Sequence, residues 1–274
     1  MFSNLINEAQ IECILETRSP LFIKSGEEDP LNPTAADDSY IAFYKEGKMI
    51  PVIPGTGLKG VFRSRAEVFL KKYGICNIFS YNNSCGKKIA DKQKKNKNIT
   101  GIDKYDLSCA VCKLFGSQGL KSRISFEDFY PIENPVIGKR KGVAIDRISG
   151  AARKGAFYDF EYVEYGKFKG KIKIKNFFPW NLKLILLILE DINEGFVTLG
   201  GVTSKGFGQM EVKDINMKIR YYDKSKNNGK YEDKGFYIER KIDEKEVKNI
   251  FSKIKIDETE VKTQGSDLKN GKVL

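Results

Sequence analysis

Four of the five cysteines lie in one short window of the chain, at Cys76, Cys85, Cys109 and Cys112. The two-residue spacing between Cys109 and Cys112 is typical of zinc knuckles, and four thiolates would complete a tetrahedral Zn²⁺ site. The surrounding lysines favour the thiolate form. The alternative is a group of free cysteines in a loop, although buried free cysteines are usually scattered in core elements, as we expect for Cys13. We predict a structural zinc site, because four protein ligands leave no open coordination position.

A second group of residues could bind phosphate, in the string IPGTGLKGVFR at residues 53–63. Glycines that open a helix expose backbone N–H groups at its partially positive end. Lys59 and Arg63 are four residues apart and project from the same side of that helix. Thr56 is the predicted N-cap or a further hydroxyl donor. The alternative is a tight strand-to-helix turn with two solvated cations.

Another glycine-rich segment, GGVTSKGFG at residues 200–208, allows a ligand to approach the backbone closely. Ser204 and Lys205 would be its donors. The spacing is not that of a Walker A loop and a strand is predicted to follow, which argues against a nucleoside-triphosphate site. A β-turn with a bulge is the alternative.

Two further strings have residue types that suit RNA chemistry. Asp37 and Asp38 stand in an acidic loop before the strand that leads into residues 53–63, where folding could bring a carboxylate beside a bound RNA backbone; plain solvation is the alternative. Residues 138–166 interleave cations with aromatics, as in proteins that bind single strands; alternatively, this arm is a solvated hairpin whose aromatics pack on the core. The arm contains Lys139, Arg140, Lys141, Arg147, Arg153, Lys154, Phe157, Tyr158, Phe160 and Tyr162.

The composition restricts the chemistry further. The 274 residues include no histidine, which excludes a Ser-His-Asp triad, a His-paired cysteine nucleophile and imidazole metal ligands. Lysine and arginine number 48 and aspartate and glutamate 36, a formal net charge of +12. This excess predicts a polyanionic partner, with RNA or DNA first and an anionic membrane second.

The secondary structure predicted around these residues indicates an α+β fold. Apolar residues recur at helical spacing over 58–73, which predicts a helix there, and 181–193 is predicted to form a second, buried helix. Residues 75–108 are predicted to be an inserted loop. Strands are predicted at 9–24, 50–53, 122–129, 167–174, 196–199 and 209–219, which suggests a ferredoxin-like sheet with insertions. After residue 220 the chain is polar, and we expect one helix at 243–254 and a disordered end.

Nothing in the sequence predicts a membrane protein. The longest apolar run has six residues, at 184–189, against the roughly 20 that span a bilayer. The first ten residues lack the pattern of a signal peptide. We therefore expect a soluble cytoplasmic protein with no membrane partner.

Four strings in this order resemble the RAMP superfamily, and most closely the backbone subunits of type III CRISPR interference complexes. The resemblance covers about residues 9–218. The strings are IPGTGLKGVFRSRAE at 53–67, CAVCKLFGS at 109–117, GVAIDRISGAARKGAFYDFE at 142–161 and LGGVTSKGFGQM at 199–210.

The resemblance implies an RRM-like palm over residues 1–219, with a zinc-bearing insertion at about 75–120, a thumb-like β-hairpin at 138–166 and a C-terminal extension at 220–274. It also implies copies or related subunits stacked head to tail along a CRISPR guide RNA, together with other effector-complex subunits. The guide contacts it suggests, combined with the strings above, are Thr56, Lys59, Arg63, Arg147, Arg153, Lys154, Ser204 and Lys205.

In this family an aspartate before the IPG strand cuts complementary target RNA with a divalent metal. Asp38 is the better match to that residue and Asp37 the second candidate, with Mg²⁺ or Mn²⁺ as the cofactor. Two alternatives stay open: a structural RNA-binding subunit without cleavage, and a guide-processing endoribonuclease. The absence of histidine counts against the second, because such nucleases commonly use one.

Overall fold

The computed structural model describes residues 4–25, 38–45, 47–270 and 274. The strands of this part of the chain are β1 (Asn7–Thr17), β2 (Ala42–Lys45), β3 (Lys48–Pro51), β4 (Ile124–Phe126), β5 (Tyr130–Pro131), β6 (Val136–Ile145), β7 (Ala152–Tyr165), β8 (Lys167–Lys175), β9 (Met210–Tyr221), β10 (Glu232–Asp233) and β11 (Ile238–Ile242). The α-helices are α1 (Gly55–Leu70), α2 (Cys85–Lys95), α3 (Gly101–Asp106), α4 (Ala110–Phe115), α5 (Pro179–Asn193), α6 (Glu244–Ser252) and α7 (Glu258–Val261). The chain is thus a mixed α+β protein.

The main sheet has the strand order β10-β11-β9-β1-β8-β4, and its paired strands are antiparallel. Helix α1 follows β1 in the chain, and α5 follows β8. The elements β1, α1, β4, β8, α5 and β9 therefore give a β-α-β-β-α-β order, with β1 between β8 and β9. This arrangement is consistent with the ferredoxin-like fold that the sequence predicted.

Side-chain alternation explains which face of the sheet is covered. Every second residue of β1 is buried, and the same holds for β8, so each strand has one core face and one face near solvent. On the outer face Lys169 lies 2.9 Å from Glu12 and Lys173 lies 2.5 Å from Glu127. The outer-face residues of β1 and β8 include no aromatic side chain, whereas an RRM sheet stacks bases on aromatic residues at this face.

Helices α1 and α5 pack on the inner face. Leu58, Phe62 and Ala66 of α1 are buried, as the predicted stripe requires, and the helix begins three residues earlier than predicted. Arg65 falls within that stripe and finds a carboxylate there, because its Nε lies 2.5 Å from Asp191 of α5. No helix in the described ranges is long and apolar enough to cross a membrane.

The segment from 75 to 108 differs from the predicted loop. It contains α2 and α3, and each helix anchors to the main core through a buried apolar side chain, Ile89 or Tyr105. Thr100 and Asp103 form a capping box that starts α3. Lysines occupy five of the eleven positions of α2, so the apolar periodicity that identifies a helix is weak there.

The C-terminal half of the prediction also needs correction. Residues 196–199 do not form a strand, and β9 is not the last strand of the sheet. Strand β11 pairs with β9 through residues 238–242, so the polar extension after 219 adds to the sheet edge. Ile238 and Ile242 bury their side chains there, and α6 covers part of the predicted helix at 243–254.

Candidate RNA interface and metal centre

The four clustered cysteines come together from three elements. Cys76 follows a turn at Gly74, Cys85 begins α2, and Cys109 and Cys112 lie at the start of α4. Their four sulfur atoms all lie within 4.8 Å of one another. Thiolates at such separations fit a metal such as Zn²⁺, so the prediction that these residues cluster is confirmed.

The thiols influence one another strongly. Hydrogen bonds from Cys112 and Cys85 lower the pKa of the Cys109 thiol. Hydrogen bonding to Cys109 raises the pKa of Cys112, and it raises the pKa of Cys85 to about 12. A bound cation would favour the ionised form of the thiols that ligate it.

Arg63 faces this cysteine cluster, although the sequence assigned it to a phosphate site. Its Nε donates to Glu67 at 3.1 Å, one terminal nitrogen donates to the Gly116 carbonyl at 2.9 Å, and the other donates to Cys112 Sγ at 3.4 Å. The helix spacing correctly placed Lys59 and Arg63 on one side, but it could not show that α4 packs opposite Arg63.

At the start of α1, a side chain of the protein already contacts the backbone where the glycine pattern predicted a phosphate site. Pro54, and not Thr56, is the N-cap, and the Gly55 N–H donates to Asp128 Oδ1 at 2.8 Å. Thr56 lies one residue inside the helix and is exposed. A carboxylate already satisfies one N–H of the predicted phosphate site, which reduces its value for an anionic ligand.

Lys59 remains available to a ligand. It is half-buried, and burial lowers the pKa of its ammonium, followed by the neighbouring Arg63 charge. Within the described residues no acidic side chain forms an ion pair with Lys59. A partly desolvated and unpaired cation is well suited to a phosphate oxygen.

The second glycine-rich segment, residues 200–208, packs against the chain that follows β1. The Gly201 N–H donates to the Phe22 carbonyl at 2.7 Å, and the Gly208 N–H donates to the Pro20 carbonyl at 2.8 Å. Ser204 and Lys205 are exposed, and the Lys205 ammonium lies 3.4 Å from the Tyr158 hydroxyl. This segment therefore lies beside strand β7.

Strands β6 and β7 form the long hairpin that the sequence predicted, and its base packs as a small second core. Phe160 and Tyr162 are buried there with Phe22 and Phe207. Arg140 donates to the Tyr162 hydroxyl at 3.0 Å, and its guanidinium lies over that ring. Phe160 and Tyr162 therefore pack within the protein, which is the alternative to base stacking that the sequence left open.

In the outer part of the hairpin, described side chains such as Phe157 and Ile148 lie outside this small core. Phe157 is 70% exposed and Ile148 is 98% exposed. Arg147 and Arg153 are exposed near the tip, while the side chain of Lys154 lies outside the described part of the structure. Backbone N–H groups of the tip turn donate to Asp146, so the turn has a defined conformation. The hairpin thus carries cations and apolar side chains away from the core.

Asp38 is joined to the base of this hairpin. Its N–H donates to the Asp159 carbonyl at 3.2 Å, and its own carbonyl accepts from Glu161 at 3.0 Å. Its carboxylate, 30% exposed, pairs with the Lys24 ammonium. Asp37, the second candidate, lies outside the described residues. The carboxylate of Asp38 is therefore close to the hairpin and to the chain segment that carries Phe22, which contacts residues 200–208.

Sequence reasoning missed several residues of this region. Lys24 is a single cation before an acidic loop, and Asp128 follows a strand by two residues, so neither belongs to a recognisable motif. Arg140 was included in the basic arm, but its stacking on buried aromatics depends on the chain segment that supplies Phe22. These contacts join parts of the chain that are distant in sequence and leave no local signal.

The comparisons with known proteins agree with this architecture. The family model of the RAMP superfamily matches residues 14–211, which include the end of β1, all of α1, the cysteine cluster, the hairpin and the second glycine-rich segment. No curated protein matches the chain. Proteins of this superfamily bind CRISPR RNA within multi-subunit complexes. Because the match covers well over half of its length, the chain belongs to the RAMP superfamily.

Proposed function

We propose that this chain is a guide-RNA-binding backbone subunit of a type III CRISPR complex and that it cleaves the paired target RNA at Asp38. One observation carries the proposal: three strings that are far apart in sequence meet at the base of the hairpin. They are the segment at Asp38, strand β7 and the glycine-rich residues 200–208. Each of them separately had the residue types of an RNA site.

The charges and rings support a division of roles along this surface. Lys59, Ser204 and Lys205 are positioned to contact guide phosphates, which fix the register of a strand without reading its sequence. Arg147 and Arg153 extend the cationic surface along the hairpin. A base can stack on the exposed ring of Phe157. The exposed side chain of Ile148 can insert between two neighbouring bases and separate them.

The proposed reaction uses the target RNA's own nucleophile. The 2′-hydroxyl oxygen forms a bond to the adjacent phosphorus and loses its proton to water. The bond from phosphorus to the 5′-oxygen breaks, and the 5′-oxygen takes up a proton from water, which leaves a 2′,3′-cyclic phosphate and a 5′-hydroxyl. Mg²⁺ or Mn²⁺, when bound, supplies the charge stabilisation that histidine cannot supply here. Asp38 would hold that cation or align the 2′-hydroxyl. Lys24, its ion-pair partner, keeps the carboxylate in place before RNA binds.

The test is cleavage of labelled complementary RNA by the assembled complex in Mg²⁺. We expect Asp38→Ala to lower the cleavage rate by orders of magnitude while guide and target binding survive, because the lost interaction is made mainly in the transition state. EDTA should have the same effect. Asp38→Asn retains the size of the side chain, so its inactivity would assign the effect to charge.

Asp37→Ala is the matched control, since it removes an acid from the adjacent position. If Asp37→Ala abolishes cleavage and Asp38→Ala does not, the residue assignment is wrong and the mechanism stands. If the wild-type complex leaves target RNA intact, the chain is a structural RNA-binding subunit. If it cuts the guide precursor instead, it is a processing nuclease.

The cysteine cluster supports a second part of the proposal, a structural Zn²⁺ held by Cys76, Cys85, Cys109 and Cys112. Such a metal would fix α2 and α4 against the segment at Cys76, which follows α1 in the chain. We expect about one zinc per chain by elemental analysis, which is the stoichiometry of a four-thiolate site. Removal of the metal by a chelator should lower the melting temperature, and a metal-free chain of unchanged stability would contradict this assignment.

A further inference from the structure

Arg63 combines three contacts that hold its guanidinium in one orientation. Glu67, one turn further along α1, takes the Nε hydrogen at 3.1 Å, and the Gly116 carbonyl takes a hydrogen from one terminal nitrogen at 2.9 Å. The third contact is to Cys112 Sγ at 3.4 Å. The side chain of Arg63 is 17% exposed, so this is an internal contact of the protein.

The backbone at Gly116 adapts to this arrangement. Its φ is +85°, and a Cβ added there would lie 2.8 Å from the Ser122 nitrogen, so a glycine is required. The turn that ends α4 thereby presents its carbonyl to Arg63. An arginine with a fixed fork and a fixed acceptor is a preorganised donor toward the sulfur.

The charge of the cluster explains why a cation belongs there. Four thiolates and one Zn²⁺ carry a net charge of −2, and partial burial makes that charge costly without a compensating group. Lys113, next to Cys112 in sequence, acts on Cys109 through its charge, but its ammonium donates to the Thr263 carbonyl at 2.9 Å and not to a sulfur. In the described part of the chain, Arg63 is the cationic side chain with a hydrogen bond to one of the four sulfurs.

We propose that Arg63 serves the cysteine metal centre, as the charge-compensating donor that positions Cys112, and does not contact the guide RNA. The proposal rests on the zinc site of the preceding section. It makes α1 the element that joins two functions, since Lys59 faces the ligand and Arg63, one turn later, faces the metal. Outer-shell partners of this kind typically change metal affinity by about 10- to 100-fold.

The first experiment measures zinc transfer from the full chain to a chromogenic chelator. A cavity of about 360 Å³, lined in part by Arg63, Cys76 and Cys112, gives the chelator a route to the site. We expect Arg63→Ala to release zinc about 10- to 100-fold faster than the wild type. Arg63→Lys should be intermediate, because it keeps the charge but loses the fork.

Arg65→Ala is the matched control, since it removes an arginine from the same helix whose partner is Asp191. Its zinc release should equal that of the wild type. If Arg63→Ala fails to fold, Arg63→Lys and Arg63→Gln give the same comparison. Zinc release at the wild-type rate from the Arg63 variants would overturn the proposal, and so would a wild-type chain without zinc.

A second experiment separates this proposal from guide binding. For single strands, log K falls with log salt by roughly 0.7 per phosphate neutralised, so Lys59→Ala should reduce the slope by about that amount. Zinc-loaded Arg63→Ala should keep the wild-type slope. A slope reduced in Arg63→Ala with normal zinc retention would make Arg63 a guide contact. If neither the wild type nor any of the variants binds RNA, the guide-binding proposal fails. The zinc measurement then still decides the role of Arg63.

Discussion

The two glycine-rich segments look alike in sequence and are built for different purposes. Both place a lysine among closely spaced glycines, at Lys59 and at Lys205. In the first segment the glycines lie inside a regular helix, and only Gly55 is pressed against another part of the chain, the Phe126 carbonyl. In the second, Gly200 and Gly208 have positive φ and support an irregular loop.

The comparison shows three separate reasons for a glycine: close packing, a backbone conformation with positive φ, and a requirement that comes from outside the folded chain. Gly55 is needed for close packing under β4, and Gly208 is needed for its backbone conformation. Gly57 and Gly60 satisfy neither condition, because a Cβ at Gly60 would meet open space and one at Gly57 would make ordinary contact. Glycine in a helix interior costs about 1 kcal/mol relative to alanine, so these two need a reason outside the folded chain.

The largest effect should come from the second segment. Gly208→Ala combines a φ of +85° with a Cβ closer than 3.0 Å to the Leu199 carbonyl oxygen. We expect the free energy of unfolding in urea to fall by about 2–4 kcal/mol, from backbone strain and overpacking together. Gly201→Ala, whose nearest neighbours are 3.6 Å away, is the control and should cost far less. Equal effects of the two would mean that the loop is not tightly held.

The next largest effect should be in the first segment. A Cβ at Gly55 would lie closer than 3.0 Å to the Phe126 carbonyl oxygen, but the backbone conformation suits any residue. Gly55→Ala should therefore cost about 1–3 kcal/mol, from overpacking alone. Chemical denaturation measures the change. A neutral result would show that α1 can move away from β4 without loss of packing.

Much of the fold was predictable because its main elements have one buried face. Strands β1 and β8 and helices α1 and α5 follow simple two- or 3.6-residue periods, and four cysteines with knuckle spacing needed no fold to be recognised. Helices α2 and α3 were missed because each one buries few apolar residues. Strand β11 was missed because five residues after a polar stretch carry little periodicity.

The site was less predictable than the fold, for a physical reason. Periodicity shows which side of α1 a residue occupies, but it does not show what packs opposite. Arg63 and Lys59 are equivalent by spacing, yet α4 approaches one of them and leaves the other accessible. The Asp128 carboxylate at the start of α1 could not be anticipated either, because it comes from a loop 73 residues further along the chain.

A smaller effect should distinguish the two lysines as RNA contacts. Lys205→Ala removes an exposed cation beside Tyr158, and Lys59→Ala removes a half-buried one. Each should reduce the slope of log K against log salt by about 0.7, while the affinity loss should be larger for Lys59 because a desolvated contact is stronger. Lys95→Ala, a change at an exposed position of α2, is the control. Filter binding over a salt series gives both quantities, and a slope unchanged in both variants would place the guide elsewhere.

The smallest effect should come from Gly60→Ala, which should raise the stability of the chain and lower its affinity for guide RNA. Gly60→Ala adds a methyl group that meets no other atom within 4 Å, so the free chain should gain up to about 1 kcal/mol in its free energy of unfolding from helix propensity. If the guide backbone lies along the exposed face shared by Gly57 and Gly60, the same methyl group occupies space that the RNA needs. We therefore expect a more stable chain that binds guide RNA a few-fold more weakly, with the salt slope unchanged because no charge is lost. Unchanged affinity together with raised stability would show that RNA does not approach this face and would leave residues 200–208 and the hairpin as the guide surface.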